Sequence, residues 1–177
     1  LENERIIGVG DYCSQDADAE EDLTGTYICP GFIDGHIHIE SSMLLPVEFA
    51  KAALPHGTTA VVADPHEIAN VCGAEGIQFM LEASEGLPLT VYIMIPSCVP
   101  ATEFDESGAS LGAEEIRPFY GHPRVLGLGE VMSYHAVADG DEKLQKKIND
   151  ALERGLIVNG HAPLLTGRRL DRYIAAG

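Results

Sequence analysis

The 177-residue sequence predicts an α/β protein, a partial (β/α)8 TIM barrel comprising strands one to five. Three observations carry this expectation. Apolar, β-rich runs start at residues 32, 58, 89, 125 and 156, so strands recur at the spacing of βα units. Helical patterns fill the intervals between them. Four of the five runs also end in ionisable side chains, which a barrel gathers around one mouth and an open sheet spreads along an edge. The competing architecture is an open doubly wound sheet, but no Gly-rich phosphate loop follows the first run.

Residues 1–30 read as short β segments, Arg5–Gly10 and Thr26–Cys29, around an acidic loop from Asp16 to Asp22. Pro30-Gly31 punctuates the chain, and a second domain is expected over 31–177. The five runs are Phe32–Ile39, Thr58–Ala63, Leu89–Ile95, Val125–Leu128 and Leu156–Val158. Their near-continuous apolar character suits strands covered on both faces. Ile77, Met80, Leu81 and Ser84 follow helical spacing, as do Leu144, Ile148, Ala151 and Leu152, with Asp141 at the start and Gly155 as C-cap. Leu170, Tyr173 and Ile174 mark a last helix, and the face from Glu142 to Arg154 reads as solvated. The chain starts at Leu1 and stops at Gly177 directly after that helix, which is expected of a piece of a longer polypeptide.

The net charge is −17, which repels phosphate backbones and argues against nucleic-acid partners. No apolar run approaches the ~18 residues of a membrane span, and no signal peptide is visible. Cys13, Cys29, Cys72 and Cys98 are widely spaced and expected to be buried free thiols in a reduced, cytoplasmic compartment.

The chemistry sits where the runs end. His36 and His38 are two residues apart on a strand, so alternation puts both imidazoles on one face, with Asp34 and Glu40. Two neutral imidazoles on one face can chelate a divalent metal, whereas a lone His-x-His can equally be two unrelated histidines. His161 ends the fifth run in register with them and joins as a candidate ligand. Glu130 closes Gly127-Leu128-Gly129-Glu130, where the small residues allow close approach and the two carboxylate oxygens could bridge two ions. A helix cap or a salt-bridged glutamate is the alternative. Asp64-Pro65-His66-Glu67 packs three ionisable groups at a stiffened loop start, for substrate handling, a further metal contact, or plain capping. His56 and His122 read as turn and loop residues, and His135, on a mouth loop, reads equally as part of a pocket wall or as a surface residue.

Four segments, PGFIDGHIHIESS, GTTAVVADPHEIANVCG, LGLGEVM and GHAP, together resemble the adenine deaminase family of the amidohydrolase superfamily, over residues 5 to 177. The resemblance implies a metal-dependent barrel preceded by part of a small β-sandwich domain, here residues 1–30. It implies hydrolytic conversion of adenine to hypoxanthine and ammonia, in a homo-oligomer. Carried over by position, His36, His38, Glu130 and His161 match metal ligands, with Glu130 and His161 also serving catalysis. Glu40, Ser41, Asp64, His66 and Glu67 are candidates for holding the purine. The resemblance implies a divalent-metal cofactor, a binuclear Mn or Fe centre, although by composition these donors suit Zn equally well. The superfamily's sixth-strand histidine and eighth-strand general-base aspartate have no counterpart here, so the 177 residues alone are expected to be inactive. A dihydroorotase-like or deacetylase-like hydrolase, or an inactive half-barrel assembly module, are the rival readings.

Overall fold

A computed structural model describes residues 1–177 other than 4 and 13. The chain divides into two units, Leu1–Pro30 and Gly31–Gly177.

In the first unit the described residues form turns and one isolated antiparallel bridge, Glu2 with Arg5. The strands expected at Arg5–Gly10 and Thr26–Cys29 do not form. A strand exists through its neighbour, and these segments have no partner strand among the described residues. Ile6, Ile7, Val9, Tyr27 and Ile28 accordingly stay exposed. The acidic loop is irregular, with Asp22 accepting hydrogen bonds from the Thr24 amide and hydroxyl.

The second unit alternates strand and helix. The strands are β1 (Phe32–Ile37), β2 (Thr58–Ala63), β3 (Thr90–Pro96), β4 (Val125–Val131) and β5 (Ile157–Gly160). The helices are α1 (Pro46–Ala53), α2 (His66–Cys72), α3 (Ala74–Ala83), α4 (Ala113–Ile116), α5 (Tyr134–Asp139), α6 (Glu142–Glu153) and α7 (Gly167–Ile174). All strand pairs are parallel and the sheet order is β1-β2-β3-β4-β5. Each strand therefore lies beside its sequence neighbour. A doubly wound sheet would reverse direction at a switch point, and this one does not.

Burial follows position in the sheet. In central β3, Val91, Ile93, Met94 and Ile95 are all buried, consistent with cover on both faces. Edge residues Phe32, Ile33 and Ile157 are more than half exposed. Two boundaries differ from the sequence expectation in ways that matter. β1 stops at Ile37, and residues 40–42 turn into a 3-10 helix, so Glu40 leaves the strand face that alternation assigned to it. β4 runs to Val131, so Glu130 lies within the strand.

Asp141 caps α6, its side chain accepting from the Leu144 amide at 2.7 Å. The α6 face is not wholly solvated: Lys147 and Asp150 are buried. Lys147 Nζ donates to the Ser97 and Leu111 carbonyls at 2.7 and 2.5 Å, and burial lowers its pKa. Asp150 accepts from Arg117 and Arg154 at 2.9 and 3.1 Å. Helical periodicity marks one face only, and tertiary contacts recruited two charged residues beside it. The thiols differ from expectation too. Cys98 is buried, but Cys29 and Cys72 are exposed, and Cys13 lies outside the described residues. Among the described residues no helix is long and apolar enough to cross a membrane.

Candidate metal centre

The C-terminal ends of β1, β2, β4 and β5 converge on one carboxylate. Glu130, only 12% exposed in its side chain, presents two oxygens to four imidazoles. Its Oε1 lies 2.8 Å from His36 Nε2 and 3.4 Å from His161 Nδ1. Its Oε2 lies 3.6 Å from His38 Nε2 and 3.7 Å from His66 Nδ1. The parallel register produces this: Ile37 pairs Ala63 and Val131 pairs Gly160, so residues just past those points meet. Although β1 ends before His38, the two β1 imidazoles still face each other, Nε2 to Nε2, at 3.1 Å.

One hydrogen bond fixes the chemistry of His38. Its Nδ1 lies 2.7 Å from the Asp64 carbonyl, and a carbonyl only accepts, so Nδ1 carries the proton. Nε2 is then the ring nitrogen that faces His36 and Glu130, the orientation a ligating histidine takes from such a backbone contact. His36 Nε2 thus lies 2.8 Å from Glu130 Oε1 and 3.1 Å from His38 Nε2, while His38 Nε2 lies 3.6 Å from the other oxygen, Oε2. One donor atom of each of the three residues lies within 4.8 Å of the others, which makes them a candidate ligand group for a divalent ion. Imidazole and carboxylate donors suit Mn, Fe or Zn.

The five residues expected to hold substrate divide into two groups. His66 turns toward Glu130, and Asp64 lies beside it, with His66 Nδ1 3.5 Å from Asp64 Oδ1. The Asp64 carboxylate raises the pKa of His66, with burial opposing. Glu40, Ser41 and Glu67 assemble instead at the start of α2. The Ser41 hydroxyl donates to Glu67, and Glu40 Oε1 accepts from the Ile68 amide at 3.4 Å. Burial raises the pKa of Glu40, and Oε2 of both Glu40 and Glu67 has no protein partner. Asp34 accepts from the His36 amide at 3.1 Å and so braces the β1 backbone. His135 is exposed on α5, its ring against Tyr134, while His56 sits in the 3-10 turn before Gly57 and His122 in a loop.

Sequence reasoning missed three supports. An open cavity of about 290 Å³ is lined by His36, Glu130, Asn159 and Gly160, which adds Asn159 to the site. Ser97 Oγ donates to the Glu130 carbonyl at 2.9 Å. From α7, Tyr173 Oη donates to the Val131 carbonyl at 2.7 Å and accepts from the His161 amide at 2.8 Å. Asn159 was signalled by its place at a strand end, but nothing local marks Ser97 or Tyr173. Tyr173→Phe is expected to destabilise the fold by about 1–2 kcal/mol, since it removes both bonds. Because it frees the backbone beside Glu130 and His161, it should also weaken metal affinity by about 10-fold. Thermal denaturation and Mn²⁺ titration measure the two effects, and unchanged affinity would remove Tyr173 from the site.

Over residues 27–174 the sequence matches the Amidohydrolase family. It is similar to adenine deaminase 2 of Carboxydothermus hydrogenoformans, 53% identical over 172 residues, covering 97% of this chain and 29% of that protein. The adenine deaminase of Halalkalibacterium halodurans is 52% identical over 172 residues, with 97% and 29% covered. That of Methanoculleus marisnigri is 53% identical over 173 residues, with 98% and 32% covered. The chain thus spans 29% to 32% of the length of these curated relatives.

Proposed function

Because this chain belongs to the amidohydrolase family, we propose that it supplies part of a binuclear metal centre of an enzyme that hydrolyses adenine to hypoxanthine and ammonia. In this reading residues 31–177 are the first half of a closed metal-dependent (β/α)8 barrel, and residues 1–30 contribute to a small β-sandwich domain. The sequential parallel sheet supports the barrel. The relatives' printed activity supports the substrate. The observation that carries the site is Glu130, whose two oxygens meet imidazoles from three different strand ends.

His36, His38, Glu130 and His161 would hold the ions, with Mn or Fe favoured and Zn compatible. Divalent ions held by these residues would lower the pKa of a bound water and so supply a nucleophile near neutral pH. The residues themselves set the geometry. His38 is locked by the Asp64 carbonyl. Glu130 is held in β4 by Ser97. His161 is anchored through its amide by Tyr173. Water adds at C6 of adenine, and the exocyclic amino group leaves as ammonia. Glu40, Ser41 and Glu67 offer carboxylate and hydroxyl groups for the polar edge of the purine. A negatively charged Glu130 needs no added carbon dioxide, as a carbamylated lysine would, so turnover is independent of bicarbonate. The exposed free thiols Cys29 and Cys72 support a cytoplasmic setting.

The test is adenine turnover by the complete enzyme loaded with Mn²⁺, followed by absorbance. Hypoxanthine formation without bicarbonate is expected. Turnover of dihydroorotate or an N-acetyl sugar, with none of adenine, would assign the site to a different amidohydrolase.

A further inference from the structure

Lys147 lies on α6 and is buried, 8% exposed. Its ammonium donates to two backbone carbonyls, Ser97 at 2.7 Å and Leu111 at 2.5 Å. Burial lowers its pKa, opposed by the nearby Cys98, Glu115 and Asp141. A buried cation is costly, and an apolar side chain of similar length avoids that cost. Stability by itself is therefore a weak reason for a lysine at this position. What Lys147 holds is the loop over residues 97–111. The Leu111 amide donates to the Val99 carbonyl at 3.0 Å, so the two ends of the loop meet, and Lys147 spans them. The outer part of the loop is carried by α2 instead, where the Gly108 amide donates to the Asn70 carbonyl at 2.8 Å.

Ser97, itself buried, is also where the end of β3 reaches Glu130. The β3–β4 pairing ends with Pro96 facing Gly129. One residue on, Ser97 Oγ lies 2.9 Å from the Glu130 carbonyl and 3.2 Å from Cys98 Sγ. A hydroxyl has one proton, and a carbonyl accepts it better than a thiol, so the bond goes to Glu130. Lys147 holds the same serine by its carbonyl, and so fixes the backbone from which that hydroxyl reaches. We propose that Lys147 is a positioning residue of the metal centre, acting through Ser97 to hold Glu130 against its imidazoles. This rests on the metal reading above and deepens it. The action is at one remove: ammonium to the Ser97 carbonyl, Ser97 hydroxyl to the Glu130 carbonyl, and that backbone to the carboxylate. Groups that support a ligand in this way set metal affinity within about 10- to 100-fold.

The experiment titrates Mn²⁺ into the complete enzyme after stripping with chelator, and follows melting of the metal-free form. Lys147→Met and Ser97→Ala are each expected to weaken Mn²⁺ affinity by about 10-fold. The double variant should also lose about 10-fold, rather than about 100-fold, because both changes break one chain of contacts. Arg124→Met controls for lost stability alone. Arg124 precedes β4, at the opposite end of that strand from Glu130, and donates to the Leu81 and Val91 carbonyls and the Ser84 hydroxyl. That variant should melt lower and keep its Mn²⁺ affinity. The electron paramagnetic resonance spectrum of bound Mn²⁺ should change in Lys147→Met and not in Arg124→Met. Unchanged affinity in Lys147→Met overturns the proposal and leaves Lys147 as a staple of the loop. A loss of about 100-fold in the double variant also overturns it, by separating Lys147 from Ser97. Where Lys147→Met fails to fold, Ser97→Ala carries the test: unchanged affinity there breaks the chain at its middle and overturns the proposal. Glu130→Gln separates the two readings. Full metal content in that variant removes the centre and the positioning role together. Metal loss there, with unchanged affinity in Lys147→Met, removes the positioning role alone.

Discussion

Glu130→Gln is expected to abolish deamination in the complete enzyme while the fold survives. The side chain keeps its shape but loses its charge and one acceptor oxygen, and those oxygens serve four imidazoles. Metal affinity should fall by more than about 100-fold, beyond the range of changes at groups that merely support a ligand. Adenine turnover should fall by about 10³-fold or more, since the ions contribute several kcal/mol to stabilising charge. Elemental analysis and an absorbance assay measure the two. Circular dichroism matching the unsubstituted enzyme would confirm that the fold is intact. Full metal content in this variant would refute the role of Glu130.

Gly127→Ala should be strongly destabilising. A Cβ there would lie 1.8 Å from the Ile157 carbonyl oxygen and 2.7 Å from its carbon, both backbone atoms of the paired strand β5. The two strands would have to separate where Gly127 faces Ile157 and Leu128 faces Val158. Overpacking costs about 1–3 kcal/mol when side chains can yield, and here they cannot, so about 3 kcal/mol or more is expected. Denaturant titration, or loss of soluble protein, reports it. Gly129→Ala meets a different obstacle: Asp64 Oδ2 at 2.1 Å and Met94 Cβ at 2.8 Å. Adding Asp64→Ala should therefore partly restore the Gly129→Ala variant, whereas no side-chain truncation should restore Gly127→Ala. Equal stability of Gly127→Ala and the unsubstituted protein would contradict the strand register.

Much of the architecture was legible because βα repetition is a one-dimensional signal. Apolar runs at regular spacing, with helical periodicity between them, predict parallel strands in sequence order, and such strands form. The first thirty residues were not legible in the same way. Their β-rich composition at Arg5–Gly10 and Thr26–Cys29 expresses a propensity, and propensity yields a strand only where a partner supplies the ladder. The thiols show a similar limit: cysteine is usually buried, yet Cys29 and Cys72 fall on exposed backbone.

The metal-facing residues divide along the same line. By itself the sequence determined that His36, His38, Glu130 and His161 stand at strand ends, because strand alternation and chain order are local properties. It also placed Asp64 and His66 at a fourth such end. Tertiary structure alone decided which atoms meet. Parallel register brings Glu130 between imidazoles from β1 and from the ends of β2 and β5. A backbone carbonyl 26 residues away chooses the tautomer of His38. The early end of β1 carries Glu40 off the strand face and into company with Ser41 and Glu67 near α2. Such facts depend on distances between segments far apart in the chain. Those distances are set by strand pairing and by glycines that let the backbones close, so no local pattern contains them.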